Sequence, residues 1–146
     1  HWDIHTDNFH VDNGNIKLFD FDACQFNWYT ADMASAIFFM ILKGAGPLTN
    51  KSEKERTEFA EAYLISYLKG YLQTNTTSEY WIKKIDLFIK YQMCDEYLAA
   101  QNSWPQELAH LRDWYLNWHK ERITNGLPYV WIDYEKVINS IPAIQL

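Results

Sequence analysis

The chain opens with the polar stretch His1-Trp2-Asp3-Ile4-His5-Thr6-Asp7-Asn8 and, after a short turn, continues with Phe19-Asp20-Phe21-Asp22. Between these stretches, two short runs at residues 9–11 and 16–19 alternate or are apolar, and Asp12-Asn13-Gly14-Asn15 joins them. Asn-Gly between two such runs is a strong signal for a β-hairpin, because both residues tolerate positive φ. We therefore predict a hairpin that returns Asp20 close to the loop carrying Asp3 and Asn8.

After Trp28 the sequence predicts helices. Thr30 can cap a first helix that ends near Lys43, with Gly44 as its stop. This helix is apolar on all sides, which is typical of a helix at the centre of a bundle.

Capping patterns of the type Ser/Thr-x-x-Glu/Gln predict the starts of further helices. They lie at residues 52–55, 76–79 and 103–106, and we expect these helices to end near residues 72, 101 and 124. A last short helix is predicted from Asp133. No repeat or second domain is evident, so we predict a single domain, residues 1–146, of the mainly α (α+β) class: a short N-terminal β-hairpin plus a helical bundle.

The composition is that of a folded, acidic domain. The 146 residues are 48% hydrophobic and 17% aromatic, which excludes a disordered chain and allows a sizeable core. The net charge of −6 argues against a nucleic-acid partner, because such binding depends on Lys and Arg. No apolar run is long enough for a membrane span, so we expect no membrane partner. Cys24 and Cys94 show no disulfide or metal spacing, which indicates a reducing, cytoplasmic location.

The polar residues near the start have the types and order that phosphoryl transfer requires. Asp3 could act as general base for an attacking hydroxyl, and Asn8 follows it at the spacing of kinase catalytic loops. Asn8 offers a neutral oxygen to magnesium. In an extended segment Asp20 and Asp22 would point to the same side, where two carboxylates repel each other unless a cation lies between them. We therefore predict Asp3 as catalytic, and Asn8, Asp20 and Asp22 as metal ligands.

The same alternation would place Phe19 and Phe21 behind the two carboxylates, facing the core. Taken alone, this pattern is that of a common exposed strand face with apolar residues beneath it. A lone Asp3 would likewise be an ordinary loop residue. The functional interpretation depends on the combination of Asp-x-x-x-x-Asn, an Asn-Gly hairpin and Asp-Phe-Asp in one short segment.

His1 and His5 flank Asp3 and allow two interpretations. We favour a structural role, in which both imidazoles form hydrogen bonds that shape the loop. The alternative is a zinc site built from His1, Asp3 and His5, although the helical His-x-x-x-His pattern with a Glu is absent. The metal separates the two, because oxygen ligands select magnesium and imidazoles select zinc.

Residues 1–34 resemble a known family. The matching patterns are His1-x-Asp3-x-His5-x-x-Asn8, Phe19-Asp20-Phe21-Asp22 and Trp28-Tyr29-x-x-Asp32-Met33-Ala34. They are similar to the aminoglycoside phosphotransferase and choline/homoserine kinase-like family, which are small-molecule kinases with a protein-kinase-like fold. The loop departs from the usual form at Trp2, where Gly is usual, and at Thr6-Asp7, where Pro-Gly is frequent.

The resemblance implies roles for the residues at matching positions. Asp3 would be the catalytic base, Asn8 and Asp20 would be magnesium ligands, and Asp22 would be a further acidic residue at the metal site. Asp32 would brace the catalytic loop from the buried helix by accepting hydrogen bonds from its backbone. The chain itself would be the C-terminal lobe of a kinase-like fold.

The activity implied by this resemblance is ATP-dependent transfer of the γ-phosphate to a hydroxyl of an amino alcohol, aminoglycoside or similar small molecule, with Mg²⁺ and ATP as cofactors. In such kinases a Gly-rich loop, a strand Lys and an adenine-binding hinge precede the catalytic loop. The sequence contains none of these. We therefore expect that the N-terminal lobe is absent, that the chain is inactive alone, and that an exposed apolar face causes self-association.

Two other functions remain open: a non-catalytic kinase-like binding or regulatory module, and a His/Asp metal-dependent hydrolase. The acceptor-binding residues are not predicted. Several acidic and aromatic residues of the later helices could receive a cationic amine, but such residues usually face water or pack a bundle. They are Tyr91, Asp95, Glu96, Trp114, Tyr115 and Trp118.

Overall fold

The computed structural model describes residues 1–144, which begin with a two-stranded hairpin. Strand β1 (Phe9–Asp12) pairs antiparallel with β2 (Asn15–Leu18). Asn13 and Gly14 form the turn, with φ of 49° and 80°. Both lie in the left-handed region that the Asn-Gly turn requires, so the predicted hairpin is confirmed.

Helices follow the hairpin. They are α1 (Tyr29–Ala45), α2 (Glu53–Tyr71), α3 (Glu79–Lys83), α4 (Ile85–Asn102), α5 (Arg112–Thr124) and α6 (Tyr134–Asn139). Short 3₁₀ turns occur at Gln106–Leu111 and Pro142–Ile144. The predicted class, mainly helical with an N-terminal hairpin, is confirmed. Within the described residues, no helix combines the length and apolar character that a membrane crossing requires.

Helix α1 is the centre of the bundle, as its all-round apolar sequence predicts. It packs against both α2 and α4, and Ile37, Phe38 and Ile41 are completely buried. Gly44 lies inside this helix and is not its stop. The ring of Phe59 on α2 packs so closely that a Cβ at Gly44 would overlap it, and the helix continues to its cap at Gly46.

The start of α1 also differs from the prediction. The helix begins at Tyr29, its N-cap is Trp28, and no side chain caps it. Thr30, the predicted cap, lies in the first turn and is 3% exposed. A side chain packed into the core there cannot turn back to the helix terminus, so packing overrides the local capping preference.

The capping pattern at Ser52 is confirmed in full. Ser52 Oγ accepts a hydrogen bond from the Glu55 nitrogen at 3.3 Å, and Glu55 Oε2 accepts one from the Ser52 nitrogen at 2.7 Å. Asp133 caps α6 in the same way, by accepting a hydrogen bond from the Lys136 nitrogen at 3.0 Å.

The two other predicted capping patterns do not start long helices. The helix expected from Thr76 begins only at Glu79 and is divided at Lys84, where the Lys84 nitrogen donates to the Trp81 oxygen at 3.1 Å. This tighter turn allows Ile82 and Ile85, three residues apart, to be fully buried together.

Ser103, the third predicted cap, instead ends α4 by donating its backbone N–H to the Ala99 oxygen at 2.8 Å. The following segment is a 3₁₀ turn before α5 begins at Arg112. Trp104 Nε1 donates to the Leu108 oxygen at 2.7 Å and closes this turn. Helix α5 ends at Thr124 as predicted, with Asn125 as its C-cap and Gly126 at a φ of 65°.

Candidate functional site

One stripe of side chains on α1 holds the N-terminal loop, residues 1–8. The stripe consists of Asp32, Ser35, Phe39 and Lys43, which share one face because residues three or four apart are neighbours on a helix. Asp32 contacts His1 and Trp2, and Ser35 contacts Trp2. Phe39 contacts His5, and Lys43 contacts Asp7. The loop therefore runs alongside the central helix in the same direction.

The beginning of the loop is held by hydrogen bonds to its backbone. Asp32 Oδ1 accepts hydrogen bonds from the backbone nitrogens of His1 at 3.0 Å and Trp2 at 3.1 Å. Ser35 Oγ donates to the Trp2 oxygen at 2.6 Å and accepts from Gln92 Nε2 of α4 at 3.1 Å. The contact predicted for Asp32 is thus present, while Ser35 and Gln92 complete a support that the sequence did not reveal.

Trp2 adopts a φ of 66°. Only glycine adopts this left-handed conformation at no steric cost, which explains why Gly is usual here in the resembling family. In this chain two hydrogen bonds, to the Trp2 nitrogen and the Trp2 oxygen, hold the residue in place. Its indole ring packs on Tyr91 with 5.7 Å between centroids.

The carboxylate of Asp3 is oriented through both oxygens. Asp3 Oδ2 accepts a hydrogen bond from Asn8 Nδ2 at 2.8 Å. Asp3 Oδ1 lies 3.5 Å from His5 Nε2. His5 Nδ1 accepts the backbone N–H of Asp7 at 3.1 Å, so a neutral His5 carries its proton on Nε2, facing Asp3.

Asn8 is almost fully buried and its amide group is oriented. Its Nδ2 donates to the Asp3 backbone oxygen at 3.0 Å as well as to the Asp3 carboxylate, and its backbone nitrogen donates to the His5 oxygen at 3.0 Å. Among residues 1–144, no group donates a hydrogen bond to Asn8 Oδ1. This arrangement leaves a hard, neutral oxygen available to a cation.

The hairpin brings Asp20 beside Asn8. The ladder of β1 and β2 continues through a hydrogen bond from the Phe19 nitrogen to the Asn8 oxygen at 3.1 Å, and Asp20 follows directly. His1 supports this corner, because its Nε2 donates to the Phe19 oxygen at 3.1 Å and its ring packs on Phe21 at 4.7 Å.

The segment that follows is not extended, contrary to the prediction. Asp20 has a φ of 63°, and the Cys24 nitrogen donates to the Phe21 oxygen at 3.2 Å in a turn. A left-handed residue breaks the two-residue alternation, so Asp20 and Asp22 do not share a strand face. For the same reason Phe19 and Phe21 are 44% and 57% exposed and do not enter the core. Asp22 is exposed to solvent.

The candidate metal donors beside the loop are oxygen atoms, which suit a hard divalent cation. Asn8 Oδ1 and the Asp20 carboxylate are oxygen donors, and Mg²⁺ in nucleotide sites is bound by one or two carboxylates together with phosphates. Within the described part of the chain, no three His, Cys, Asp or Glu side chains gather as metal ligands. His1 Nε2 donates to the Phe19 oxygen, and His5 Nδ1 accepts from the Asp7 nitrogen, so both imidazoles form hydrogen bonds to nearby backbone groups.

The end of the loop is held by charge. Lys43 Nζ lies 2.6 Å from Asp7 Oδ2, and both side chains are largely exposed. The hydrogen bond and positive charge of Lys43 lower the pKa of the Asp7 carboxyl. His5 packs edge-on against Phe39, with 5.6 Å between ring centroids. Neither Lys43 nor Phe39 was predicted, although a Lys on an otherwise apolar helix is a visible signal.

A cleft of about 710 Å³ lies next to Lys43, between the ends of α1 and α4 and the start of α5. We call it the Glu96 cleft. Its lining is Leu42, Lys43, Leu48, Thr49, Glu96, Ala99, Ala100, Ser103, Trp104, Pro105, Leu108 and Tyr115. Glu96 Oε1 accepts a hydrogen bond from the Tyr115 hydroxyl at 3.0 Å. Burial raises the pKa of Glu96, so a cationic ligand group would find a partly desolvated carboxylate.

Only two of the candidate acceptor residues line this cleft. Glu96 and Tyr115 do so, whereas Trp118 is half-buried against the core, with the Arg122 guanidinium 4.2 Å from its ring centre. Asp95 and Trp114 are exposed outside the cleft.

Comparison with known proteins finds similarity to amicoumacin kinases. No protein-family model matches the sequence. The chain is 29% identical over 90 residues to amicoumacin kinase of Bacillus subtilis (strain 168), an alignment that spans 62% of this chain and 25% of that protein. A solved amicoumacin kinase, hAmiN in complex with AMP-PNP, Ca²⁺ and Ami, superposes with a TM-score of 0.80 at 24% identity over 93% of this chain.

The chain thus spans a quarter of the length of the curated relative and 40% of the solved one. The superposition covers nearly all of this chain. The predicted resemblance to small-molecule kinases of the aminoglycoside phosphotransferase type is confirmed, and the chain has the fold of part of a kinase-like phosphotransferase.

Proposed function

We propose that this chain is the C-terminal lobe of an ATP-dependent phosphotransferase that transfers the γ-phosphate of ATP to a hydroxyl of a small molecule. The observation that carries the proposal is the geometry of Asp3, whose carboxylate is oriented by Asn8 on one oxygen and His5 on the other. A general base needs such a fixed orientation, because proton transfer requires the acceptor hydroxyl within hydrogen-bond reach.

In the reaction, Asp3 orients the acceptor hydroxyl and takes its proton as the new oxygen–phosphorus bond forms. The bond between the γ-phosphorus and the leaving oxygen of ADP breaks in the same step. A divalent cation, held by Asn8 Oδ1 and Asp20 with Asp22 nearby, would neutralise charge on the phosphates. Mg²⁺ is the cellular cation that this oxygen donor set suits.

We place the acceptor in the Glu96 cleft. Its volume is within the usual range for small-molecule sites, and its lining is mostly apolar, with the half-buried carboxylate of Glu96 and the ammonium of Lys43 as charged groups. A hydroxyl-bearing molecule with a cationic amine fits this chemistry, since the amine can pair with Glu96 while apolar parts contact Trp104 and Leu108. The relatives, being amicoumacin kinases, support an antibiotic-like acceptor over a protein one.

The nucleotide-binding groups are proposed to lie in a separate lobe. Residues 1–144 contain no Gly-rich phosphate loop followed by a strand Lys, and the relatives are longer than this chain. The face that would receive such a lobe carries exposed apolar side chains on the hairpin and the segment after it: Val11, Ile16, Phe21, Phe26, Trp28 and Tyr29. The chain alone is then inactive and self-associates through this face. The unpaired Cys24 and Cys94 support a cytoplasmic location.

Replacement of the base tests the proposal. Asp3→Asn preserves the shape of the side chain but cannot accept the proton, so kcat should fall by about 10²–10⁴-fold in the chain joined to its nucleotide-binding lobe. ATP-dependent transfer to a panel of amino alcohols, aminoglycosides and amicoumacin-like compounds is the measurement. The exposed Asp113 on α5 offers a control, since Asp113→Asn should leave the rate unchanged.

The outcome separates the phosphotransferase from the non-catalytic kinase-like module. Turnover that depends on Asp3 and on Mg²⁺ or Mn²⁺ establishes the phosphotransferase. An Asp3→Asn protein that binds nucleotide and acceptor like the wild type, with no turnover in either, would favour the non-catalytic kinase-like module.

A further inference from the structure

The ion pair of Lys43 and Asp7 joins the loop to the Glu96 cleft. Lys43 Nζ is 2.6 Å from Asp7 Oδ2, and Lys43 also lines the cleft. Among the described residues, Lys43 is the one lining residue of the cleft that hydrogen-bonds to the loop. Whatever binds in the cleft therefore meets a side chain that already holds the loop.

From Asp7 the contacts continue to the candidate base. The backbone N–H of Asp7 donates to His5 Nδ1 at 3.1 Å, and this bond leaves the His5 proton on Nε2. His5 Nε2 lies 3.5 Å from Asp3 Oδ1. The order Lys43, Asp7, His5, Asp3 is thus a continuous path of polar contacts from the cleft to the carboxylate.

The ion pair of Lys43 and Asp7 is the contact that holds the end of the loop on α1. The beginning of the loop is anchored to its backbone by Asp32 and Ser35. Among the described residues, no side chain of α1 hydrogen-bonds to the backbone at the end of the loop. The ion pair of Lys43 with Asp7 therefore holds this end.

We propose that Lys43 is a positioning residue that couples the acceptor cleft to the base by holding Asp7. The inference rests on the proposed function of Asp3 and the cleft. When Lys43 holds Asp7, the Asp7 backbone N–H stays on His5 Nδ1 and the His5 Nε2 proton faces Asp3. When Lys43 is removed, residues 5–7 can shift, and both the orientation of Asp3 and the edge of the cleft change together.

The test compares Lys43→Met, Lys43→Arg and a matched control, Lys54→Met. Lys54 is an exposed lysine of α2 whose partner, Glu58, is 3.7 Å away and remote from the loop. The first readout is the ¹⁵N shifts of the His5 imidazole in the 146-residue chain, which report the ring nitrogen that carries the proton. The second is kcat and the KM for the acceptor in the chain joined to its nucleotide-binding lobe.

We expect Lys43→Met to lose the preference for the Nε2 proton, to lower kcat about tenfold and to raise the acceptor KM. Lys43→Arg should restore most of both, because it keeps the charge, and Lys54→Met should match the wild type. A double variant that exchanges the charges, Asp7→Lys with Lys43→Asp, should recover more activity than either single change.

The two readouts separate the two proposals. An unchanged His5 tautomer and unchanged kinetics in Lys43→Met would overturn the positioning role while leaving the phosphotransferase intact. If the wild type transfers no phosphate, the proposed function is contradicted. A changed His5 tautomer in Lys43→Met would still support the path from Lys43 to His5 in that case.

Discussion

Two polar clusters of this molecule have opposite environments. The loop cluster consists of Asp3, His5 and Asn8, which lie in the N-terminal loop near the protein surface. Nearly every polar group in it has a hydrogen-bond partner. The core cluster consists of Arg56, His119 and Tyr129, which lie between α2, α5 and the following segment and are almost fully buried. In the core cluster, Arg56 Nε, His119 Nε2 and the Tyr129 hydroxyl have no partner among the described groups.

The difference shows what each kind of polarity does. In the loop cluster, each hydrogen bond fixes the direction of a group that must meet a ligand. In the core cluster, burial favours the uncharged forms instead. Burial and, to a smaller extent, the nearby charges of Arg122 and Arg56 lower the pKa of His119 to about 4. Burial also raises the pKa of Tyr129. The loop cluster should therefore govern activity, and the core cluster should govern the acid stability of the bundle.

The largest expected effect is the acid sensitivity caused by His119. Its pKa is about 4 when folded and near 6.5 when unfolded, so between these values the unfolded chain binds the proton and the folded one does not. Stability is full above about pH 6.5, falls as the pH drops toward 4, and loses at most about 3 kcal/mol from this group. Urea unfolding at pH 7 and pH 4.5 measures it.

The matched variant for this prediction is His119→Asn. The Asn amide nitrogen takes the place of His119 Nδ1, which contacts the Tyr115 oxygen at 3.0 Å, and it can still donate to that oxygen but does not titrate. The difference in pH dependence between wild type and variant isolates His119 from the carboxylates. Parallel curves for the two proteins would contradict the assignment.

The next effect concerns the anchor at the beginning of the loop. Asp32→Ala removes the acceptor of two backbone hydrogen bonds and should lower the free energy of unfolding by about 1–2 kcal/mol, because the site is only partly buried. Asp32→Asn keeps an acceptor oxygen and should lose less than half as much. Equal losses in both variants would mean that charge, and not the hydrogen bonds, holds the loop.

The smallest effect on stability should come from the anchor at the end of the loop. Asp7→Ala breaks an exposed ion pair, and such pairs contribute little and are screened by salt. We expect no measurable change of the urea midpoint at about 1 M salt, where the screening length is about 3 Å. Any loss of stability measured at low salt should disappear at this high salt concentration. A clear loss at high salt would show that Asp7 does more than pair with Lys43.

Local signals in the sequence predicted most of the fold. The Asn-Gly turn, the capping box at Ser52 and the Asp133 cap depend on contacts within a few residues, and all three are present in the structure. The motif of Asp3, Asn8 and Asp20 was also visible: Asn8 bonds to Asp3, and the hairpin pairs Asn8 with Phe19, the residue before Asp20. Their roles stay predictions until Asp3→Asn is measured.

The sequence by itself determined the hairpin, the central apolar helix and the order of polar groups at the start, because these follow from spacing and backbone preference. Only the tertiary structure decided how the loop is held: Trp2 to Asp32, Asp7 to Lys43 and Ser35 to Gln92 are pairs 30, 36 and 57 residues apart. It also decided the left-handed Asp20, which broke the expected alternation. Spacing encodes neighbours along one element, whereas these contacts depend on how separate elements pack against each other.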